Sequence, residues 1–250
     1  MMFNGYPKFN FLRFMRDLMI ALMIVGLWAF CCIRCRAQTV PLVRVAHDSF
    51  TSYYDLQTHC PALVVYVLEA RHFSGSYKVA GRHFKMDTQL PRPRVKDSDF
   101  SGSGYVRGHL CSAGDRDSDK AWLKETYLTS NLVPMTMVCN SGAFKAVEDS
   151  CRRAALAGHR LLIARGPIHE FCDTVSLLEK GSRITIKVPI AIFSFAKCLD
   201  CGYRYVAAVR NTLRDPGAYY LPGMYDERVA ILLTNIMGLW SREEYETITR

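Results

Sequence analysis

The sequence predicts an α+β domain, because strand-type and helix-type segments alternate irregularly along it. Apolar, β-branched runs of strand length occur at residues 62–70, 160–168 and 203–211. Residues 140–158 instead carry apolar side chains at helical spacing. Half of the 250 residues are hydrophobic and 22% are charged, which is typical of a globular domain with its own core.

The N-terminal segment differs from the rest of the chain. Residues 18–33 carry no charge and follow three basic residues, a pattern typical of a secretory signal, and Ala37 ends a suitable cleavage site. An uncleaved anchor and a lipidated Cys31 are the alternatives. We therefore expect residues 1–37 to be a signal peptide or membrane anchor. Residues 38–250 would then form an exported domain that is periplasmic, secreted or held at the membrane facing outside the cytoplasm.

The net charge is mildly basic. The whole chain carries +9 at pH 7, and residues 1–37 contribute five Lys/Arg and one Asp, so the remainder carries +5. Such a surplus is compatible with a polyanionic partner. It does not identify one, because many secreted proteins are equally basic.

The cysteines after residue 37 allow several chemistries. In an oxidising compartment the seven could form up to three disulfides, and the sequence does not give the pairing. Cys198 and Cys201 have the spacing of half a zinc site or of a redox pair. No second CxxC and no pair of histidines follows them, so a local disulfide or two unpaired cysteines is favoured over zinc. The seven are Cys60, Cys111, Cys139, Cys151, Cys172, Cys198 and Cys201.

The remaining elements follow from the apolar pattern and from the turn residues. The predicted helix at 140–158 places five apolar residues on one face and ends at Gly158. We predict strands at 62–70, 160–168, 182–199 and 203–211, a loop over most of 81–104, a helix passing into an extended segment within 119–135, and a terminal helix at 226–240. The buried helix face consists of Phe144, Val147, Cys151, Ala154 and Ala155.

One histidine and two residues of the predicted helix suggest hydrolytic chemistry. Asn140 and Glu148 are eight residues apart, which brings them to roughly one side of a helix, and Asn140 is a good N-cap type. An amide oxygen and a carboxylate could hold a hydrated Mg²⁺. Such an ion would neutralise a phosphate oxygen and a departing alkoxide. His109, as a neutral imidazole after a glycine-containing turn, could take a proton from water.

Four separated motifs support this interpretation. They are VRGH (106–109), LTSNLVP (128–134), NSGAF (140–144) with Glu148, and GRHFKMD (81–87). Their order and spacing resemble those of the DNA/RNA non-specific endonucleases of the ββα-metal fold. That family has an Asp-Arg-Gly-His motif, then a Ser-Asn or Thr-Asn, and then an Asn-x-Gly-x-Trp helix start with a Glu eight residues after its Asn. The resemblance covers roughly residues 60–240, with a motif core at 81–150.

The resemblance implies a fold and a set of catalytic roles. The fold would have a mostly antiparallel central sheet flanked by helices. His109 would be the general base, and Asn140 would be the single protein ligand of Mg²⁺, with Mn²⁺ or another divalent cation as alternatives. Glu148 would hold metal-bound waters, and Asn131 would orient the site.

The resemblance also implies how substrate is held. Arg107 and Arg82 would contact phosphate, because the planar guanidinium has a fork of donors. Phosphate contacts carry no sequence information, which agrees with cleavage of DNA and RNA irrespective of sequence. Membrane contact is expected only through the N-terminal anchor, and a homodimer is compatible with this interpretation. Asp115 and Arg116, which follow His109 closely, are predicted to be structural.

Three positions depart from the family pattern. Val106 stands where the family has Asp, Met135 where Gln is usual, and Phe144 where Trp is usual. The change at Val106 supports an alternative function, a catalytically impaired relative that binds nucleic acid. A third class of function is a zinc or thiol protein built around Cys198 and Cys201.

Overall fold

A six-stranded antiparallel sheet forms the centre of the fold. The computed structural model describes residues 42–73, 75, 77–78, 84–169, 177–178 and 184–213. The chain divides into two units, residues 1–40 and 41–250, and every described residue belongs to the second. Within the described ranges no helix is long and apolar enough to span a bilayer. The targeting segment at 1–37 and the predicted helix at 226–240 lie outside the described residues.

The central sheet has the strand order β1-β2-β3-β6-β9-β10, and every neighbouring pair is antiparallel. Two further antiparallel pairs, β4 with β5 and β7 with β8, lie outside it. The strands are β1 (Val43–Ala46), β2 (Thr51–Asp55), β3 (Cys60–Leu68), β4 (Val106–His109), β5 (Leu132–Met135), β6 (Leu161–Ile168), β7 (Leu177–Leu178), β8 (Ile186–Lys187), β9 (Ala191–Cys198) and β10 (Arg204–Arg210).

The helices are few and short, apart from one. They are α1 (Lys120–Glu125), α2 (Met137–Ser141) and α3 (Ala143–Leu156), and 3₁₀ turns occur at Ala70–His72, Asp97–Phe100, Ala113–Asp115 and Thr129–Asn131. The predicted α+β class, with a mostly antiparallel sheet and flanking helices, is confirmed.

The sheet is buried on both faces, which explains the continuous apolar runs of its middle strands. Successive side chains of a strand point to opposite faces of the sheet. Val64 and Tyr66 of β3 therefore pack in one cluster with Phe144 of α3, whereas Leu63 packs in a second cluster with Phe193 of β9. The predicted face of α3 is confirmed, because Phe144, Val147, Cys151 and Ala155 are buried and Ala154 is partly buried.

The strand predictions hold where the apolar run is unbroken. The runs at 62–70, 160–168 and 203–211 form β3, β6 and β10. The single strand predicted at 182–199 is wrong in its extent, since β8 and β9 are separate elements with Pro189 between them. Proline has no N–H for a ladder hydrogen bond.

The predicted start of the long helix is also wrong. The segment forms two helices, because Gly142 adopts φ −101° and ψ −109°, far from helical values. A Cβ on Gly142 would lie 2.5 Å from the carbonyl oxygen of Val138, so only glycine fits this break. Thr136 caps α2 by accepting a hydrogen bond from the N–H of Cys139 at 3.1 Å. Asn140 therefore lies inside α2 and is not an N-cap. Because Glu148 lies on α3, helical periodicity does not place the two residues on one side of a single helix.

The described cysteines form no disulfide with one another. Six of the seven are free thiols, five of them buried, and Cys172 lies outside the described residues. The six are Cys60, Cys111, Cys139, Cys151, Cys198 and Cys201.

Candidate active site

The pair of strands β4 and β5 positions His109. The VRGH segment, in which His109 was expected to follow a turn, is a strand that pairs antiparallel with β5, and His109 lies opposite Leu132. The imidazole is partly buried between two aromatic rings. Its centroid lies 5.1 Å from that of Tyr127, edge to face, and 5.6 Å from that of Phe84. These rings restrict the orientation of the imidazole.

Gly108 is required by the packing beneath the histidine. A Cβ at this position would collide with the side chain of Met135, which is fully buried. Arg107 and His109 flank this glycine, and both of their side chains line one pocket. The glycine therefore lets β4 lie close against Met135 while its neighbours face the opening.

The pocket brings together three of the six predicted site residues. Arg107 and His109 line it from β4, and Asn140 lines it from α2. The described residues that line it are Phe84, Asp97, Val106, Arg107, His109, Tyr127, Met137, Asn140 and Ser141. The Asn140 side chain is half-buried, and no hydrogen bond joins its amide to another described residue. Its oxygen is therefore available to a ligand in the pocket.

Arg107 is held by a residue that the sequence analysis missed. Its Nε forms an ion pair with the Asp97 carboxylate, and its Nη2 donates to the Asp97 carbonyl oxygen at 2.7 Å. The guanidinium also lies 5.5 Å from the ring centroids of both Phe84 and Phe100. Asp97 follows a basic stretch of the loop, and no sequence pattern distinguishes it from a solvated charge.

Asn131 lies beneath the pocket, fully buried, and does not line it. Its Oδ1 accepts from the N–H of Cys111 at 2.7 Å. Its Nδ2 donates to the carbonyl oxygens of Cys111 and Thr126, both at 2.8 Å. The backbone N–H of Leu110 donates to the Asn131 carbonyl oxygen at 3.0 Å. The side chain thus fixes the backbone immediately after His109.

The segment at 81–87 contributes a second buried polar contact. Asp87 is buried and accepts hydrogen bonds from His47 Nε2 at 2.8 Å and from the Ser130 hydroxyl. Burial disfavours the ionised carboxylate, but these hydrogen bonds and one from the N–H of Gln89 outweigh it and lower the pKa of Asp87. This contact fixes the residue before Asn131. Arg82, from the same segment, lies outside the described residues.

Glu148 is held in a buried charge cluster and is not among the residues lining the pocket. Its Oε2 accepts from the Ser112 hydroxyl at 3.2 Å and lies 3.4 Å from Arg152 Nη2. Its Oε1 lies 3.6 Å from Nη1 of Arg165, which is fully buried in β6. Burial raises the pKa of Glu148 to about 7, although the Arg165 guanidinium opposes this shift.

Asp115 completes this cluster. It is fully buried, accepts from the Tyr66 hydroxyl at 2.6 Å and from Arg152 Nε at 2.7 Å, and lies 3.6 Å from Arg165 Nη1. Arg116 is also buried, and it donates to backbone carbonyl oxygens. The predicted structural role of both residues is confirmed. Arg152 and Arg165 pair with Asp115 and Glu148 here, and Arg152 also pairs with Asp149 at 2.8 Å; these contacts join α3, the sheet and the segment after His109.

Two of the three residues that depart from the family pattern face each other across β4 and β5. Val106 and Met135 lie directly opposite each other in the β4–β5 ladder. Side chains of directly opposed residues in antiparallel strands are neighbours on one face. An apolar pair therefore occupies the place where the family pattern has an acid and an amide.

The fold of the chain has a counterpart among solved structures, and its sequence matches a protein family. The chain is similar in structure to a chain of the EndoG/EndoGI complex, whose crystal structure concerns the mechanism of EndoG inhibition. The TM-score is 0.60 and the identity is 21%, and the match covers 76% of this chain and 85% of the other chain. This likeness confirms the predicted fold class. The sequence model described as DNA/RNA non-specific endonuclease matches residues 39–219, most of the chain. The chain therefore belongs to the DNA/RNA non-specific endonuclease family.

Curated relatives match a third to a half of the chain. A nuclease from Nostoc sp. is 37% identical over 87 residues, which is 34% of this chain and 32% of that protein. Human mitochondrial nuclease EXOG is 28% identical over 132 residues, covering 51% and 36%. Human mitochondrial endonuclease G is 24% identical over 124 residues, covering 49% and 42%. The matched segments thus span between a third and a half of these relatives.

Proposed function

We propose that this chain is a metal-dependent, sequence-non-specific endonuclease that hydrolyses phosphodiester bonds in DNA and RNA. The observation that carries the proposal is the shared pocket of Arg107, His109 and Asn140. It combines a base, a cation and a neutral oxygen donor. Membership of the family and curated relatives that are nucleases support the same activity.

Each pocket residue has a role that its surroundings support. His109 acts as general base toward water, because its ring is oriented by Phe84 and Tyr127. Arg107 binds a phosphate oxygen, and Asp97 holds its guanidinium in position until substrate arrives. Asn131 is a positioning residue that acts through the backbone after His109. Arg82 remains a predicted phosphate contact.

The residues of the pocket fit a hydrated Mg²⁺. The side-chain amide of Asn140 offers a hard oxygen ligand and makes no hydrogen bond to another described residue. This suits Mg²⁺, which keeps several waters and takes few protein ligands. When bound, such an ion would neutralise charge on the phosphate and on the leaving oxygen. Glu148 does not line this pocket. Its proposed role, holding metal-bound waters, rests on the family pattern, and Arg152 and Arg165 hold its carboxylate in place.

A second function follows from the apolar pair at Val106 and Met135. If the family's acid is needed to orient the histidine, the protein binds nucleic acid without cleaving it. Binding would then survive chelation of divalent cations, whereas cleavage would not.

Location and assembly remain proposals that rest on the sequence. We propose an exported protein, periplasmic, secreted or anchored to the membrane through residues 1–37, which lie outside the described part of the chain. DNA and RNA are its proposed partners, and a homodimer is the proposed alternative to a monomer.

A metal titration tests the proposed function. Cleavage of plasmid DNA should vanish with a chelator and return with Mg²⁺ or Mn²⁺. Asn140→Ala should raise the Mg²⁺ concentration needed for half-maximal rate or abolish turnover, because it removes the oxygen donor. Ser141→Ala is the matched control, since it changes the next residue of α2 in the same pocket and should keep the wild-type titration. An Asn140→Ala titration identical to wild type would refute the ligand assignment.

A further inference from the structure

Three donor side chains far apart in sequence meet at one edge of the central sheet. Cys198 ends β9, Cys201 lies in the turn to β10, and His159 lies between α3 and β6. One donor atom of each lies within 4.8 Å of the other two. The Cys198 Sγ and His159 Nδ1 are 3.7 Å apart. None of the three lines the pocket of His109 and Asn140.

Backbone hydrogen bonds lock the two segments together. The N–H of Leu199 donates to the carbonyl oxygen of Arg160 at 2.8 Å. The N–H of Arg160 donates in return to the Asp200 carboxylate at 2.8 Å. Gly158 and Gly202, which flank the cluster, have φ of +95° and +74°, where other residues are strained. The donors are therefore presented by a fixed backbone.

The turn also prepares Cys198 as a metal ligand. The N–H of Cys201 donates to Cys198 Sγ at 3.3 Å, which stabilises a thiolate. The turn therefore holds the Cys198 sulfur while it lies 3.7 Å from His159 Nδ1.

The separation of the donors fits a tetrahedral ion. Zinc–sulfur and zinc–nitrogen distances of about 2.3 and 2.0–2.1 Å place two tetrahedral ligands about 3.6 Å apart. The Cys198 and His159 donor atoms lie at 3.7 Å, so this edge of the tetrahedron is already formed. The other two pairs of donor atoms are at most 4.8 Å apart, so each would have to close by at most about 1.2 Å.

We propose that His159, Cys198 and Cys201 form a binding site for a thiophilic divalent ion of the Zn²⁺ type. The fourth position is open to water, since His159 and Cys201 are exposed. The bound ion would tie the segment after α3 to the β9–β10 turn. The site is independent of the proposed nuclease activity. The sequence pattern disfavoured zinc because no partner followed the CxxC, and His159 lies 39 residues before Cys198.

Cobalt absorption tests this site in the full-length chain. Reduced protein, kept free of oxygen, should bind one equivalent of Co²⁺ with thiolate charge-transfer absorption and the visible bands of tetrahedral cobalt, and Zn²⁺ should displace it. Cys198→Ser and Cys201→Ser should abolish the thiolate absorption. His159→Ala should weaken affinity at least about 10-fold, because loss of even an outer-shell partner costs 10–100-fold.

Cys151→Ser is the matched control. Cys151 is buried beside Cys198 in an apolar depression but does not belong to the donor cluster, so its loss should leave the cobalt spectrum unchanged. A reduced protein without thiolate–cobalt absorption would overturn the proposal. Thiolate–cobalt absorption that persists unchanged in Cys198→Ser would also overturn it. A third contrary result is a Cys198–Cys201 disulfide whose two cysteines bind no metal after reduction. Nuclease activity enters none of these measurements, so the two proposals succeed or fail separately.

Discussion

Replacing Asn131 with alanine separates a positioning role from a merely structural one. The substitution removes three buried side-chain hydrogen bonds, two to the backbone of Cys111 and one to the carbonyl oxygen of Thr126. Each is worth about 1 kcal/mol net, and buried groups left without partners cost about 1–3 kcal/mol each. We expect unfolding free energy to fall by about 3–5 kcal/mol in total. At about 2–4 °C per kcal/mol, Tm should drop by about 6–20 °C.

The kinetic effect should differ from that of a matched buried asparagine. Asn211 is also buried and makes three hydrogen bonds, to the N–H of Thr136 at 2.7 Å and to the carbonyl oxygens of Pro134 and Pro189 at 3.0 and 2.9 Å. Asn131→Ala should lower kcat with the Mg²⁺ requirement unchanged, because the backbone after His109 loosens. Asn211→Ala should raise the Mg²⁺ requirement, because Thr136 caps the helix that carries Asn140.

Urea unfolding and steady-state cleavage of plasmid DNA, both below the Tm of each variant, measure these effects. A loss of less than 1 kcal/mol for Asn131→Ala would refute the hydrogen-bond reasoning. Destabilisation without any change in kcat would refute the positioning role and leave Asn131 as structural.

Two further predictions concern the contacts around the site. The depressed pKa of Asp87 contributes stability above its ordinary pKa of about 3.9, and this contribution is lost as pH falls through the lower folded value. Asp87→Asn should therefore be less stable at neutral pH and lose less stability in acid, as measured by urea unfolding against pH; parallel curves would contradict this. Val106→Asp and Met135→Gln should each destabilise, and the double variant should cost less than their sum by about 0.5–3 kcal/mol, because the residues are cross-strand partners. Additive losses in that double-mutant cycle would show the two positions to be independent.

The sequence predicted those parts of the fold that depend on local pattern. Apolar runs gave the strands β3, β6 and β10, and helical spacing gave the buried face of α3. The break at Gly142 escaped prediction because it depends on a backbone approach to Val138, and Asn-Ser-Gly is compatible with a continuous helix start.

The site was predicted through its motifs, but its supports were not. Arg107, His109 and Asn140 share a pocket, as the motif order implied. The partners that hold the site come from elsewhere in the chain, because tertiary contacts leave no local signal. Asp97 in a basic loop and Arg165 in an apolar strand resemble ordinary surface and strand residues in sequence.

The proposed role of His109 as general base can be tested by removing its imidazole. Full-length protein and His109→Ala should be incubated with plasmid DNA and with RNA, in Mg²⁺ and in chelator, with His59→Ala as a control outside the pocket. We expect metal-dependent cleavage of both substrates by wild type and by His59→Ala, and a rate lower by about 10²–10⁴-fold in His109→Ala with unchanged folding. Equal cleavage by His109→Ala, or no cleavage by well-folded wild type with any divalent ion, would contradict it.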